Sequence, residues 1–317
     1  MVAQQNLTSR PVWAADSVSA ACTLCGCTNN LSAGTRVDGV SFVECRSCGL
    51  ARADRAPSPD KIIELYRGDY FGERSGAGSY QAYQDYSRSH ALDDDPRRPE
   101  FRLARPFLRP GAPVLDIGCA SGELLEVFQR KDHCCFGVEL NPSMAAKTRG
   151  RLGIPVVESA FESGLEVVDR YFGAILACSV IEHTTRPREF LDEIARLLAP
   201  GGVALIVTPN WACAGRTGTE WVGWHGQFEH FSYFSARTLR REFETRGFET
   251  EFEGSAGPPA RIRSSSQKTA KRLRKRVRSL PVIGHVLTCL KRQVAPPTFR
   301  APTLELADHV GLYRKLP

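Results

Sequence analysis

Val114-Leu115-Asp116-Ile117-Gly118-Cys119-Ala120-Ser121-Gly122-Glu123-Leu124-Leu125 decides how the 317-residue chain is read. Val114 to Ile117 is a short apolar run of strand type. Gly118 and Gly122 bracket a tight turn, where side chains are expected to collide with an incoming ligand. Leu124, Leu125 and Phe128 then fall on one helical face. A strand that turns through glycine into a helix N-terminus is a place for a nucleotide-like ligand.

The spacing discriminates between ligands. A dinucleotide loop reads Gly-x-Gly-x-x-Gly, whereas this one reads Gly-x-x-x-Gly with Asp116 just ahead of it. An aspartate there suits a cationic ammonium and repels a pyrophosphate. Glu139 ends the next apolar run, Cys134 to Glu139, at the distance expected of a ribose-binding acid. A ligand with a ribose, an ammonium and no phosphate is S-adenosylmethionine.

With the later Leu198-Ala199-Pro200-Gly201-Gly202, these features resemble the class I S-adenosylmethionine-dependent methyltransferases. The resemblance spans about residues 110–253 plus the final strand. Strand and helix patterns alternate along this stretch, which predicts an α/β fold with a doubly wound, mostly parallel sheet of seven strands. The resemblance implies a cofactor loop of Asp116, Gly118, Cys119, Ala120 and Gly122, and a ribose acid Glu139 followed by Leu140 and Asn141. It places the adenine near Ala160 and Phe161 and the methionine end of the cofactor near Cys178. Ile181-Glu182-His183, followed by Pro187 and Phe190, is similar to the small-molecule branch of the family.

Cys22-Thr23-Leu24-Cys25-Gly26 and Cys45-Arg46-Ser47-Cys48-Gly49 form two Cys-x-x-Cys pairs separated by 19 residues. That spacing matches a structural zinc ribbon in which four thiolates close the tetrahedron. Cys27 is a bystander in this reading, and Asp38-Gly39 marks a hairpin turn between the pairs. Such a ribbon, joined to this core and to Phe228-Glu229-His230-Phe231-Ser232-Tyr233-Phe234-Ser235, is similar to bacterial methyltransferases of sugar, glycan and natural-product pathways. In sugar C-methyltransferases a Glu-His at this point belongs to the active site. The resemblance therefore implies His230 as base with Glu229 as its partner, and His183 as the second choice. His225, among Trp221 and Trp224, is a third histidine to weigh.

The expected organisation is a tail over 1–20, a zinc ribbon over 21–56, and an aromatic-rich helical linker or lid over 57–110. The methyltransferase domain then takes 111–253 plus 304–317, interrupted by a basic insertion over 254–303. Tyr66, Tyr70, Phe71, Tyr80, Tyr83 and Tyr86 supply the aromatic character of the linker. The insertion holds 12 of the 42 Lys and Arg residues and no Asp or Glu, leaving 30 basic against 35 acidic residues elsewhere. The body of the chain is thus mildly acidic, and a specific nucleic-acid partner is not expected. A zinc-ribbon RNA methyltransferase or binder is the alternative, with the insertion as its grip. Residues 268–292 read as a basic amphipathic helical pair, a candidate peripheral contact with an anionic membrane or a stripe packed on the protein's own sheet. The eleven cysteines and the lack of a signal-type or membrane-spanning apolar segment place the protein in the cytoplasm, or peripherally on the inner face of the membrane. The expected activity is methyl transfer from S-adenosylmethionine to an oxygen or carbon of a sugar, glycan precursor or secondary metabolite.

Overall fold

The computed structural model describes residues 21–36, 38–68, 99–214, 221, 229–259 and 306–317. Three short strands come first, β1 (Asn30–Thr35), β2 (Ser41–Cys45) and β3 (Ala51–Ala53). Helices α1 (Pro59–Arg67) and α2 (Pro99–Ala104) follow. Then β4 (Pro113–Ile117), α3 (Glu123–Gln129), β5 (Cys134–Val138), α4 (Pro142–Leu152), β6 (Val156–Val157), β7 (Phe172–Cys178), α5 (Pro187–Leu197) and β8 (Leu198–Pro209) alternate. The described chain ends with β9 (Ser232–Tyr233), α6 (Ala236–Glu244), β10 (Phe248–Pro259) and β11 (Leu306–Lys315).

The large sheet has seven strands in the order β10-β11-β8-β7-β4-β5-β6. Pairings from β6 across to β8 are parallel, and β11 is antiparallel to both of its neighbours. The order reverses between β4 and β7, so a crevice opens at the carboxyl ends of these two strands, where ligands collect in such sheets. Ala174, Ile175, Leu176 and Ala177 in β7 are fully buried, as are Val203 to Ile206 in β8. Strands covered on both faces read as continuous apolar runs for this reason. Helix α5 lays Phe190, Leu191, Ile194 and Leu197 onto the sheet, all buried. Each such side chain contributes about 1.5–3 kcal/mol of hydrophobic stabilisation.

Caps match the sequence pattern. Asn141 accepts from the Met144 N–H at 3.1 Å to start α4, and Ser235 accepts from the Thr238 N–H at 3.2 Å to start α6. Helix α4 runs through Gly150, however, and ends at Gly153 in a left-handed conformation. The last strand, Leu306–Lys315, is not an edge. It lies between β8 and β10, so β10 is the edge. Because β10 continues to Pro259 and β11 begins at Leu306, the segment between the two strands is 260–305, which starts six residues and ends two residues later than 254–303. The helical pair over 268–292 lies outside the described residues, as do Tyr70, Phe71, Tyr80, Tyr83 and Tyr86.

A second sheet has the order β1-β2-β3-β9. Its fourth strand comes from residues 232–233, so the cysteine-bearing segment does not stop at residue 56 as an independent module. Ala51 pairs with Tyr233 and Arg52 with Ser232. Leu24 and Leu50 share a buried cluster with Leu239, Phe243 and the core of the large sheet. No helix among the described residues is long and apolar enough to cross a membrane.

Candidate active site

The glycine turn is built by hydrogen bonds within the chain. The Gly118 and Cys119 N–H groups both donate to the Val138 carbonyl at 2.8 and 3.1 Å, and the Gly122 N–H donates to the Cys119 carbonyl at 2.8 Å. Gly118, Ala120 and Gly122 are left-handed, with φ of 69°, 45° and 81°. A Cβ on Gly118 would sit 2.7 Å from Val180 Cγ2, and one on Gly122 would sit 2.8 Å from Thr148 Cγ2. The turn is therefore crowded by its own protein neighbours, a reason for glycine in addition to the expected close approach of a ligand. Ala120 adopts the same region with a Cβ, a strain of the kind found at ligand clamps.

Glu139 is buried beside this turn. Its Oε2 accepts from the Ala120 N–H at 2.9 Å and its Oε1 from the Asn141 N–H at 2.8 Å. Each oxygen keeps a lone pair for a ribose hydroxyl. Burial raises the Glu139 pKa, while N–H donors of Asn141, Ala120 and Leu140 oppose the shift. Asp116 is buried next to the carboxyl end of β4, and Leu140 is half-buried. The Asn141 side chain is committed to the helix cap and to the Tyr66 carbonyl, to which its Nδ2 donates at 2.8 Å. Cys119 is buried, with its Sγ beneath Gly137, where a Cβ would come within 2.6 Å of it. Phe161 is buried edge-on against Phe190, ring centroids 5.0 Å apart, and Ala160 beside it is half-buried. Cys178, half-buried, ends β7. The side chains of Cys119 and Phe161 are thus packed inside the protein.

Ser179 and Val180 leave β7 toward Glu182 and His183. Ser179 is left-handed with φ of 56°. Because Val180 touches Gly118, the segment carrying Glu182 and His183 packs directly on the glycine turn. His183 Nδ1 pairs with the Tyr66 hydroxyl at 2.7 Å. Its ring lies 4.6 Å from the His230 ring, edge to face. Glu182 Oε1 is 4.0 Å from Nε2 of both histidines, and Glu182 Oε2 accepts from the Thr208 hydroxyl at 2.9 Å. Glu182 Oε1 and both ring nitrogens of His230 have no hydrogen-bond partner among the described residues. His230 is 1% exposed and Glu182 0%.

Charge is expelled from this cluster. Burial pushes the Glu182 pKa up to about 8, against the pull of its own main-chain hydrogen bond and that of Thr208. Burial first, then the His183 and Arg36 charges, hold His230 well below its ordinary value. Burial also lowers His183, while the Glu229 charge and a hydrogen bond with the Glu229 main chain oppose it. At neutral pH the cluster is a protonated carboxyl beside two neutral imidazoles. The three ligand atoms fall within 4.8 Å of one another, as cation ligands do. His183 is already engaged with Tyr66 and Glu229, and the set reads as a proton-handling group.

The four cysteines also converge. Cys22 Sγ is 3.6 Å from Cys48 Sγ, Cys25 Sγ is 3.5 Å from Cys45 Sγ, and all four lie within 4.8 Å of one another. A tetrahedron with zinc–sulfur bonds of about 2.3 Å has edges near 3.8 Å, so the donor set fits zinc without rearrangement. Matching turns shape it: Gly26 donates to the Cys22 carbonyl and Gly49 to the Cys45 carbonyl, each at 2.8 Å, with φ of 76° and 79°. Cys27 stands apart and accepts from the Asn29 N–H at 3.4 Å.

Of the sequence candidates, His183 and His230 meet, and His225 lies outside the described residues. The carboxyl facing His230 is Glu182; Glu229 acts on His183 instead. Glu182 was visible within Ile181-Glu182-His183, but two adjacent residues gave no sign of which would face inward. Tyr66 stands out in the sequence only as one aromatic of the expected linker or lid, and Arg36 carries no signal, since nothing in the sequence ties either to residues more than a hundred positions away.

Residues 88–251, half of the chain, match a family profile described as a methyltransferase domain. The chain is 34% identical over 132 residues to a ubiquinone biosynthesis O-methyltransferase of Maricaulis maris strain MCS10, covering 38% of this chain and 50% of that protein. It is 34% identical over 160 residues to the one from Xylella fastidiosa strain M23, covering 48% and 64%. The chain spans about half the length of the curated relatives it matches. Among solved structures it is similar to a 1,6-didemethyltoxoflavin-N1-methyltransferase of Burkholderia thailandensis, with TM-score 0.49, 18% identity and coverage of 86% and 99%. The reversed strand order around β4, the glycine turn with its buried Glu139, and a profile match over half the length agree, and the chain belongs to the class I S-adenosylmethionine-dependent methyltransferases.

Proposed function

We propose that the protein transfers the methyl group of S-adenosylmethionine to an oxygen of a small organic acceptor, with His230 as general base. The observation that carries this reading is the buried His230 imidazole, facing Glu182, whose segment packs against the glycine turn. The sulfonium cofactor supplies an activated methyl group when bound, so the protein's part is to align the acceptor and accept its proton. A neutral imidazole is the form that takes a proton from a hydroxyl. An imidazolium forming 4.0 Å from Glu182 favours the ionised form of that otherwise protonated carboxyl, which then opposes its charge. Glu139 and the main chain of 118–122 would hold the ribose and orient the cofactor.

The relatives' printed names, ubiquinone biosynthesis O-methyltransferases, favour oxygen over carbon and a ring-bearing acceptor. The sugar and glycan acceptors implied by the sequence resemblance form the second class to assay. Cys22, Cys25, Cys45 and Cys48 are proposed to hold one structural zinc, which leaves no open position for catalysis. A peripheral membrane contact through 268–292 remains a proposal of the same rank, decided by co-flotation with anionic vesicles at low salt.

The test is formation of S-adenosylhomocysteine from S-adenosylmethionine across panels of catechols, quinols and sugars. With an accepted substrate, His230→Ala should lower kcat by roughly 10²–10⁴-fold with S-adenosylhomocysteine affinity unchanged. Near-wild-type turnover in that variant would move the assignment to His183.

A further inference from the structure

We infer that the cysteine-bearing sheet positions His230, and that Arg36 is the residue through which it acts. This rests on the reading of His230 as the base, and adds to it a positioning residue nearly two hundred positions away.

Arg36 follows β1, between the two cysteine pairs, and is 2% exposed. Its Nε and Nη2 donate to the two oxygens of Asp38 at 3.0 and 2.9 Å. This fork supplies the countercharge that a buried guanidinium requires. Its Nη1 donates to the His230 main-chain carbonyl at 2.8 Å and to the Tyr233 hydroxyl at 3.3 Å. The guanidinium lies over the Phe42 ring, 5.1 Å from its centroid. The peptide that leaves His230 is held from the other side as well, because the Phe231 N–H donates to the Glu182 carbonyl at 2.8 Å. The Phe231 carbonyl then accepts from the Ala53 N–H at 2.9 Å, and β9 pairs with β3.

The main chain from 230 to 233 is therefore fastened by the cysteine-bearing sheet on one flank and by Glu182 on the other. The His230 imidazole itself has no hydrogen bond among the described residues. Its place opposite Glu182 is set by its packing and by its main chain, and Arg36 supplies the bond to the carbonyl at its own residue. A side chain that aligns a base within a fraction of an ångström acts on catalysis without touching substrate.

The test uses the full chain with isotopically labelled histidine, and His230→Gln identifies the His230 ring resonance. Arg36→Gln is expected to shift and broaden that resonance while leaving S-adenosylhomocysteine affinity unchanged by calorimetry. Arg36→Lys returns one donor to the carbonyl and should restore part of the wild-type line. Tyr233→Phe, which removes the weaker Arg36 contact and leaves the one to the His230 carbonyl, should give a smaller shift and serves where Arg36→Gln does not fold. A sharp, unshifted His230 line in Arg36→Gln, or in Tyr233→Phe where only that variant folds, overturns the inference. A line disturbed only together with loss of cofactor affinity overturns it too, since that marks general loosening. If His230→Gln proves fully active, the base assignment fails while the spectroscopic result on Arg36 stands.

Discussion

His230 and Glu182 are displaced from their ordinary pKa values in opposite directions by the same cause, the exclusion of water from both. For Glu182 the folded-state pKa is about 8 against an ordinary 4.5, so the folded protein keeps a proton that the unfolded chain releases between those values. The stability from this group is fully present below pH 4.5 and is lost as pH rises through 8. His230 runs the other way. Its contribution is present above 6.5 and is lost as pH falls through its depressed folded-state pKa. Glu182→Gln should therefore reduce the drop in Tm between pH 5.5 and 8.5, measured by calorimetry; an equal drop in both proteins would remove Glu182 as a buried acid. Catalysis should show an acid limb with a midpoint below 6.5 in the pH dependence of kcat/KM, where an ordinary histidine would already be half protonated. Gly118→Ala tests the glycine turn at the same scale. A left-handed alanine costs roughly 1–2 kcal/mol, and its Cβ would also displace Val180. Adding Val180→Ala should recover the steric part of the lost Tm and leave the backbone part.

At the level of elements, the strand–turn–helix of 113–129 was legible because each local signal agreed with its neighbours: an apolar run, a glycine turn and a helical stripe. The crowding of the turn's glycines by the protein itself was not legible, because Val180 and Thr148 approach them from other elements. Glu139 shows the same division. Its place after β5 could be read from spacing, whereas its hold on the Ala120 and Asn141 N–H groups could not. Glu139→Ala should weaken S-adenosylhomocysteine binding by about 1.5–3 kcal/mol, on the order of 10–100-fold in Kd. Glu139→Gln retains an oxygen acceptor for one of the two N–H groups and should lose less, as calorimetry on both variants would show. Equal affinity in Glu139→Ala and wild type would remove the ribose assignment.

Across the whole molecule, the doubly wound, mostly parallel character of the large sheet followed from alternation, whereas its strand order and the coupling of the two sheets did not. Two residues, Ser232 and Tyr233, are too short a strand for any periodicity to announce, yet they join the cysteine-bearing sheet to the segment of His230. Four Cys-x-x-Cys thiols suggest a self-contained module, and only the long-range pairing shows otherwise. Removal of zinc by a thiol-competing chelator should consequently cost more turnover than cofactor affinity: S-adenosylhomocysteine binding should persist while methyl transfer falls. Equal loss of both would mean that the large sheet itself depends on the metal site, and freshly purified protein free of metal would remove the zinc reading altogether.

The borrowed strand β9 also fixes an order of events during synthesis. Arg36 and its acceptor at residue 230 are separated by 194 positions. The cysteines can gather as soon as Cys48 has left the ribosome, but the buried guanidinium has no carbonyl to meet until the chain has grown past β9. Until then the exposed edge of β3 is an open template for another strand, and closing so long a loop is slow relative to local pairing. The nascent protein thus passes through an interval in which its cysteine-bearing segment is complete and unpartnered, and the maturation of the His230 segment is timed by translation of the residues between.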